Sequence, residues 1–121
     1  MATVIVDIAL ALVCFVTTPG AEPQCHHALI GPSTPRGEYV LIQRLTRDPL
    51  YGGDVLQFME DDDEVFAIHR VWLGRPEERR EARLRSKDAR QRHITNGCVN
   101  VSNETYKQLV DCCSNAKLII R

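Results

Sequence analysis

Over residues 64–73, both alternating sets of side chains are largely apolar. Val65, Ala67, His69 and Val71 form one set, and Phe66, Ile68, Arg70 and Trp72 the other. A strand patterned this way is covered on both faces. Residues 55–59 read as its hairpin partner, with Glu60-Asp61-Asp62-Asp63-Glu64 at the tip. A turn there keeps like charges in water and blunts edge pairing.

The same reading along the chain gives mostly strands. Residues 4–16, rich in Val, Ile, Ala and Phe, predict one strand or two with a turn, Asp7 taking a solvent-facing slot. Pro and Gly mark residues 17–23 as a loop. Residues 27–30 predict a short strand. Ser33-Thr34-Pro35-Arg36-Gly37 predicts a turn, because proline presets φ and glycine accepts positive φ. A strand is expected over residues 38–45, a loop over 47–53 and a closing strand over 117–120. Residues 76–90 predict a surface helix: Pro76 suits its first position, and Glu81–Arg85 and Glu77–Arg80 have pairing spacings. Ser102 is a candidate N-cap for a helix over residues 103–113, on which Tyr106, Leu109, Val110 and Cys113 form one apolar face. A chain of 121 residues is expected to hold a single domain, residues 1–121, with a real core. The class expected is mainly β, with one or two short peripheral helices.

A net charge of −1 removes any global nucleic-acid or membrane signature. Locally, residues 75–93 carry eight Lys/Arg against four Asp/Glu. No aromatic side chains interleave them for base stacking. The run reads as a solvated helix face laced with Glu–Arg pairs, or, next to a reactive centre, as an attractor of carboxylate-bearing substrates. The apolar residues 3–17 read as core strand. No positive charge precedes them and Asp7 interrupts them, unlike a secretory signal, and they are short for a membrane span. Five cysteines are present, an odd count that fits no closed disulfide framework. Adjacent Cys112 and Cys113 are expected not to pair with each other, and Cys14 to be a buried small hydrophobe.

Chemistry concentrates in Thr95-Asn96-Gly97-Cys98-Val99-Asn100. A cysteine nucleophile reacts as thiolate and needs a base or a positive charge nearby. Gly97 lets the backbone pass close to a substrate carbonyl, and the amides of Asn96, Gly97 and Cys98 are candidate oxyanion donors. The plain alternative is a buried structural cysteine beside a turn glycine. His69 is the favoured base, since imidazole titrates near neutrality, and the Arg70 carbonyl is a candidate partner for its second nitrogen. His93 is the competing base, and a satisfied core histidine the plain reading of His69. An activated Cys98 would alkylate faster at pH 6 than Cys14 or Cys112. Cys25-His26-His27 with Cys112-Cys113 is a zinc alternative of poor spacing, so no metal is assigned.

Three motifs in order resemble the catalytic domain of the L,D-transpeptidases of the YkuD type, over most of the chain from roughly residue 4. Ile68-His69 matches the family's strand histidine, the Thr95–Asn100 motif its [Ser/Thr]-x-Gly-Cys-hydrophobic-[Asn/Arg], and Ser33-Thr34-Pro35-Arg36-Gly37-Glu38-Tyr39 its Thr-Pro turn before a strand. The resemblance implies a β-sandwich of mixed sheets with Cys98 and His69 facing a shared groove. It implies a cysteine acyltransferase of the bacterial periplasm or cell envelope that needs no cofactor and acts on peptidoglycan stem peptides. Cys98 would attack the carbonyl of the L-residue at the third stem position and expel the terminal D-amino acid, with His69 as base. The Arg70 carbonyl would orient His69, and Thr95, Asn96, Gly97 and Asn100 would form the oxyanion hole or touch substrate. Many relatives have His where Asn96 stands, and the interval from His69 to Cys98 is longer here; its extra residues include the charged helix, a lid or specificity element over the groove. Hydrolytic use of the same acyl-enzyme, as an L,D-carboxypeptidase or endopeptidase and even as a secreted antibacterial effector, is an alternative. A non-catalytic stem-peptide-binding module is another. No nucleic-acid partner or stable membrane insertion is implied.

Overall fold

The computed structural model describes residues 2–121, in which the strands form two mixed sheets. In the first sheet the order is β3 (Gln24–His27), β2 (Leu12–Phe15), β1 (Thr3–Asp7), β9 (Lys117–Ile120) and β4 (Gly37–Val40). β1 and β9 run parallel, and the other neighbours antiparallel. The second sheet has the order β5 (Ile42–Leu45), β6 (Asp54–Glu60), β7 (Val65–Arg70) and β8 (Val99–Val101), with only β7 and β8 parallel. Alternation along β1, β2 and β9 buries Val4, Val6, Val13, Phe15, Leu118 and Ile120. These pack in one cluster with Leu56, Phe58, Phe66, Ile68, Val99 and Val101 of the second sheet. Tyr39 and Phe58 meet across the layers with ring centres 5.2 Å apart. The result is the two-layer β-sandwich expected.

Three segments match their sequence signals closely. The run predicted over residues 4–16 is two strands with a turn, in which Asp7 Oδ1 accepts the Leu10 amide at 3.0 Å. The hairpin of β6 and β7 carries the acids at its tip, where Asp61 Oδ1 accepts the amides of Asp63 and Glu64. Phe66, Ala67, Ile68 and His69 are all buried, as the doubly apolar pattern demanded. The helix Asn103–Cys113 has Ser102 as N-cap, its hydroxyl accepting the Thr105 amide at 3.1 Å.

Elsewhere the structure corrects the reading. The strand expected over residues 38–45 breaks at Leu41, whose side chain is fully buried while its amide bonds the Ala116 carbonyl. β4 therefore joins the first sheet and β5 the second. The short strand expected over residues 27–30 begins earlier, as β3, and residues 29–30 cross to bridge Asn100 and His93. The loop at residues 47–53 contains a 3₁₀ turn, Pro49–Tyr51, capped by Asp48.

The helix expected over residues 76–90 is a 3₁₀ turn (Pro76–Glu78), a six-residue helix α1 (Arg80–Arg85) and a second 3₁₀ turn (Ala89–Arg92). The helix Asn103–Cys113 is thus α2. Arginine-to-carbonyl bonds, rather than an apolar stripe, hold this segment. Arg83 donates to the carbonyls of Glu78 and Gln91, and buried Arg92 to those of Leu10, Ala11 and Ser86. These guanidinium groups turn inward instead of forming a solvated face. Among the described residues neither Glu81–Arg85 nor Glu77–Arg80 pairs; Arg80 pairs with Glu78 instead.

The cysteines also differ from expectation. The β2–β3 register sets Cys14 opposite Cys25, with Cα atoms 4.0 Å apart, and they form a disulfide. Cys112 and Cys113 are bonded to each other at the end of α2. Cys98 alone is a free thiol. Among the described residues no group of three or more His, Cys, Asp or Glu is placed to hold a metal ion. Among the described residues no helix is long and apolar enough to cross a membrane.

Candidate active site

The parallel pairing of β7 and β8 sets His69 opposite Asn100, and Cys98 stands two residues before Asn100 on the same face. His69 and Cys98 therefore share a groove. Two cavities open on it, of about 280 and 260 Å³, and both are lined by Tyr51, Val65, His69 and Cys98.

The Cys98 loop is built from below. The Ile30 carbonyl accepts the amides of Ile94 and Thr95 at 2.7 and 2.9 Å. Gly31 lies so close that a Cβ there would sit 1.7 Å from the Thr95 carbonyl oxygen. Thr34 caps this contact by accepting the Gly31 amide at 3.1 Å. The Thr-Pro turn thus supports the Cys98 loop. Thr95 is buried; its hydroxyl donates to the Cys98 carbonyl at 2.6 Å and accepts the Gly97 amide at 3.2 Å. Gly97 has φ +137°, and a Cβ on it would meet the Phe66 ring at 2.5 Å.

These bonds change one expectation. The Gly97 amide is committed to Thr95 and is not free for an oxyanion. The amides of Asn96 and Cys98 donate to no protein acceptor among the described residues.

His69 is almost fully buried, and its Nδ1 lies 2.7 Å from the Arg70 carbonyl oxygen. A carbonyl only accepts, so Nδ1 carries the proton and Nε2 is left with a lone pair. Asn100 Nδ2 is 3.5 Å from Nε2. Burial pulls the imidazole pKa down to about 4, with the positive charge of Arg80 acting in the same direction. The Cys98 thiol is pushed above its ordinary value, first by burial, and it points at the Val65 carbonyl at 3.7 Å. The pair is therefore thiol and neutral imidazole, not thiolate and imidazolium. Cys14 and Cys112, against which fast alkylation of Cys98 at pH 6 was expected, are disulfide-bonded and offer no free thiol for the comparison.

Arg70 has a second part. Its guanidinium pairs with Asp54 at 2.9 Å, donates to the Tyr51 carbonyl at 3.1 Å and lies 4.2 Å over the Tyr106 ring. Asp54 also accepts from Gln43 and the Tyr106 hydroxyl at 2.8 Å. Burial alone would raise the Asp54 pKa, but these donors hold it below the usual carboxylate range. Asn100 is fully buried and does not face open solvent; its Oδ1 accepts from Arg80 Nη1 and the Trp72 amide.

Four groove residues escaped the sequence reading. Tyr51 packs edge-on to His69, ring centres 4.6 Å apart, and Glu64, Trp72 and Arg80 line the larger cavity. All reach the groove through tertiary folding, and no local motif marks them. His93 is exposed, bridges Ile30 and lines neither cavity.

No protein-family model matches the sequence, and no curated protein matches it significantly. Solved structures do share the fold. An L,D-transpeptidase from Mycobacterium smegmatis superposes with TM-score 0.63 at 16% identity over 99% of this chain and 58% of its own. One from Xylanimonas cellulosilytica gives 0.61 at 19% identity, over 99% and 60%. L,D-transpeptidase 3 from Mycobacterium tuberculosis, in complex with a faropenem-derived adduct, gives 0.65 at 12% identity, over 99% and 60%. The chain spans about three fifths of these structures. The fold is that of the L,D-transpeptidases.

Proposed function

We propose that the protein is a cysteine acyltransferase of the L,D-transpeptidase kind, acting on peptidoglycan stem peptides. The observation that carries this reading is the shared groove lined by the one free thiol, Cys98, and by His69, whose Nδ1 is fixed by the Arg70 carbonyl. As a donor peptide binds, the thiol turns from Val65 toward Nε2, which accepts its proton while Sγ attacks the scissile carbonyl. The amides of Asn96 and Cys98 receive the developing oxyanion. His69 returns the proton to the leaving D-amino acid, and a thioester remains on Cys98. An acceptor amine then attacks the thioester, His69 taking its proton, to regenerate the thiol.

Two cavities meeting at Cys98 favour transfer over hydrolysis, since they offer separate places for donor and acceptor. Both disulfides suit an oxidising compartment, as expected of an envelope protein. The faropenem adduct of the structural neighbour suggests a penem as an active-site probe. The test is mass spectrometry of disaccharide-tetrapeptide incubated with the protein, beside a Cys98→Ala control. Cross-linked dimers or D-amino-acid exchange that vanish in the control are expected. Tripeptide alone would show a carboxypeptidase, and no product with an unmodified Cys98 would refute the acyl-enzyme.

A further inference from the structure

The charged segment between β7 and β8 sets one guanidinium on the wall of the larger cavity. Arg80 opens α1, and its side chain is only 10% exposed. Nε donates to Glu78 at 3.0 Å, and Nη1 to Asn100 at 2.9 Å. The guanidinium carbon is 5.1 Å from the Trp72 ring centre. Nη2 donates to no protein acceptor among the described residues. The other charged residue lining this cavity is Glu64, exposed at the acidic tip.

A guanidinium held on two sides and stacked on an indole has already lost its rotamer freedom, so a ligand that meets it does not have to order it. Its remaining edge presents fixed N–H donors, and that geometry matches a carboxylate. The charge also reaches the reacting atoms, for it favours the thiolate of Cys98 and disfavours protonated His69. Neither the Thr95–Asn100 motif nor β7 supplies another cation to the cavity. We infer that Arg80 is a specificity-determining residue, which binds the terminal carboxylate of the acyl donor while Cys98 attacks the carbonyl that precedes it. This takes the larger cavity as the donor site of the reaction proposed above. A donor whose terminal carboxylate is amidated, or displaced by a further residue, loses that contact.

The test compares two alkylating reagents, iodoacetate and its neutral counterpart iodoacetamide. With each, the Cys98 sulfur displaces iodide and the thiol proton passes to buffer; the reagents differ only in carboxylate against amide. Without reductant the two disulfides stay closed and Cys98 is the free thiol. Any change in thiolate fraction enters both rates and cancels in their ratio. The iodoacetate-to-iodoacetamide ratio of the wild type should exceed that of N-acetylcysteine about tenfold, the effect of one charge-assisted hydrogen bond. Arg80→Gln should bring it back to the small-thiol value, and Arg80→Lys should retain part of it. In the wild type, rising salt should erode the preference. A wild-type ratio equal to that of N-acetylcysteine, or one unaltered in Arg80→Gln, overturns the assignment. Should Arg80→Gln fail to fold, the wild-type ratio and its salt dependence decide. Neither reagent requires acyl transfer. A carboxylate preference without any acyl-enzyme would thus defeat the transferase and leave the Arg80 contact standing; cross-linking without a preference would do the reverse.

Discussion

The imidazole Nδ1 of His69 lies 2.7 Å from the carbonyl oxygen of Arg70, the next residue in the same strand. The bond fixes both the ring and its tautomer, so that Nε2 keeps its lone pair on the groove side with Asn100. No carboxylate takes part. The imidazole is oriented by backbone, and the backbone is held by the Arg70 side chain on Asp54, Tyr51 and Tyr106.

A neutral pair has a distinctive alkylation profile. With the Cys98 pKa raised by burial, the iodoacetamide rate should climb through pH 8 and 9 without the early plateau of an ion-paired thiolate. Stopped-flow alkylation from pH 5 to 10 measures this directly, and a plateau below pH 7 would show a thiolate–imidazolium pair instead. Turnover should hold its acid limb near pH 4, where His69 becomes protonated.

The same burial links folding to acid. An unfolded His69 accepts its proton near pH 6.5, whereas the folded one resists until about pH 4. Stability from this group is therefore complete above pH 6.5 and drains away as the pH falls toward 4. Between pH 7 and 4.5 the wild type should lose about 2 kcal/mol more than His69→Gln. Urea titrations of both proteins at the two pH values give the difference. Equal losses would mean that the ring is solvated. Asp54, held low, keeps its stabilising contribution through that window and loses it only at lower pH.

How much of this was legible follows from where each signal lives. The sheet-forming pattern of residues 64–73, the acidic tip and the Ser102 cap are local, and each was readable. Cys98, His69 and the Arg70 carbonyl were also marked, because the loop glycine and the strand position are features of sequence. The break at Leu41 was hidden, since β4 and β5 are each plausible strands and only the sandwich decides that they part. The segment 76–90 misled for another reason: helix-forming arginines there spend their donors on distant carbonyls, which composition does not record. The Cys14–Cys25 bond was hidden because it depends on β2–β3 register. Tyr51, Trp72 and Arg80 meet Cys98 only through long-range packing.

Gly97 tests the loop. At φ +137° an alanine is strained whatever the space, and its Cβ would overlap Phe66. Gly97→Ala should cost about 2 kcal/mol of stability and lower kcat/KM at least a hundredfold, because the shift carries Cys98 and its amide away from the oxyanion position. Thermal melts and steady-state rates on tetrapeptide check both numbers. A variant with full activity would mean that the loop geometry does not position the nucleophile.

Asp54 touches neither Cys98 nor His69, yet it accepts the salt bridge that anchors Arg70. Asp54→Asn removes that charge while keeping the side chain's shape, and leaves the Arg70 guanidinium and Tyr106 hydroxyl with a weaker acceptor. Loosening Arg70 slackens both the carbonyl that holds Nδ1 and the Tyr51 carbonyl that Arg70 grips. The expected outcome is a kcat about tenfold lower at little changed KM. The His69 ring nitrogens should show a mixture of tautomers by NMR, where the wild type shows only the Nδ1–H form. A purely structural Asp54 would lower the melting temperature but leave the tautomer and the kcat of the folded fraction intact.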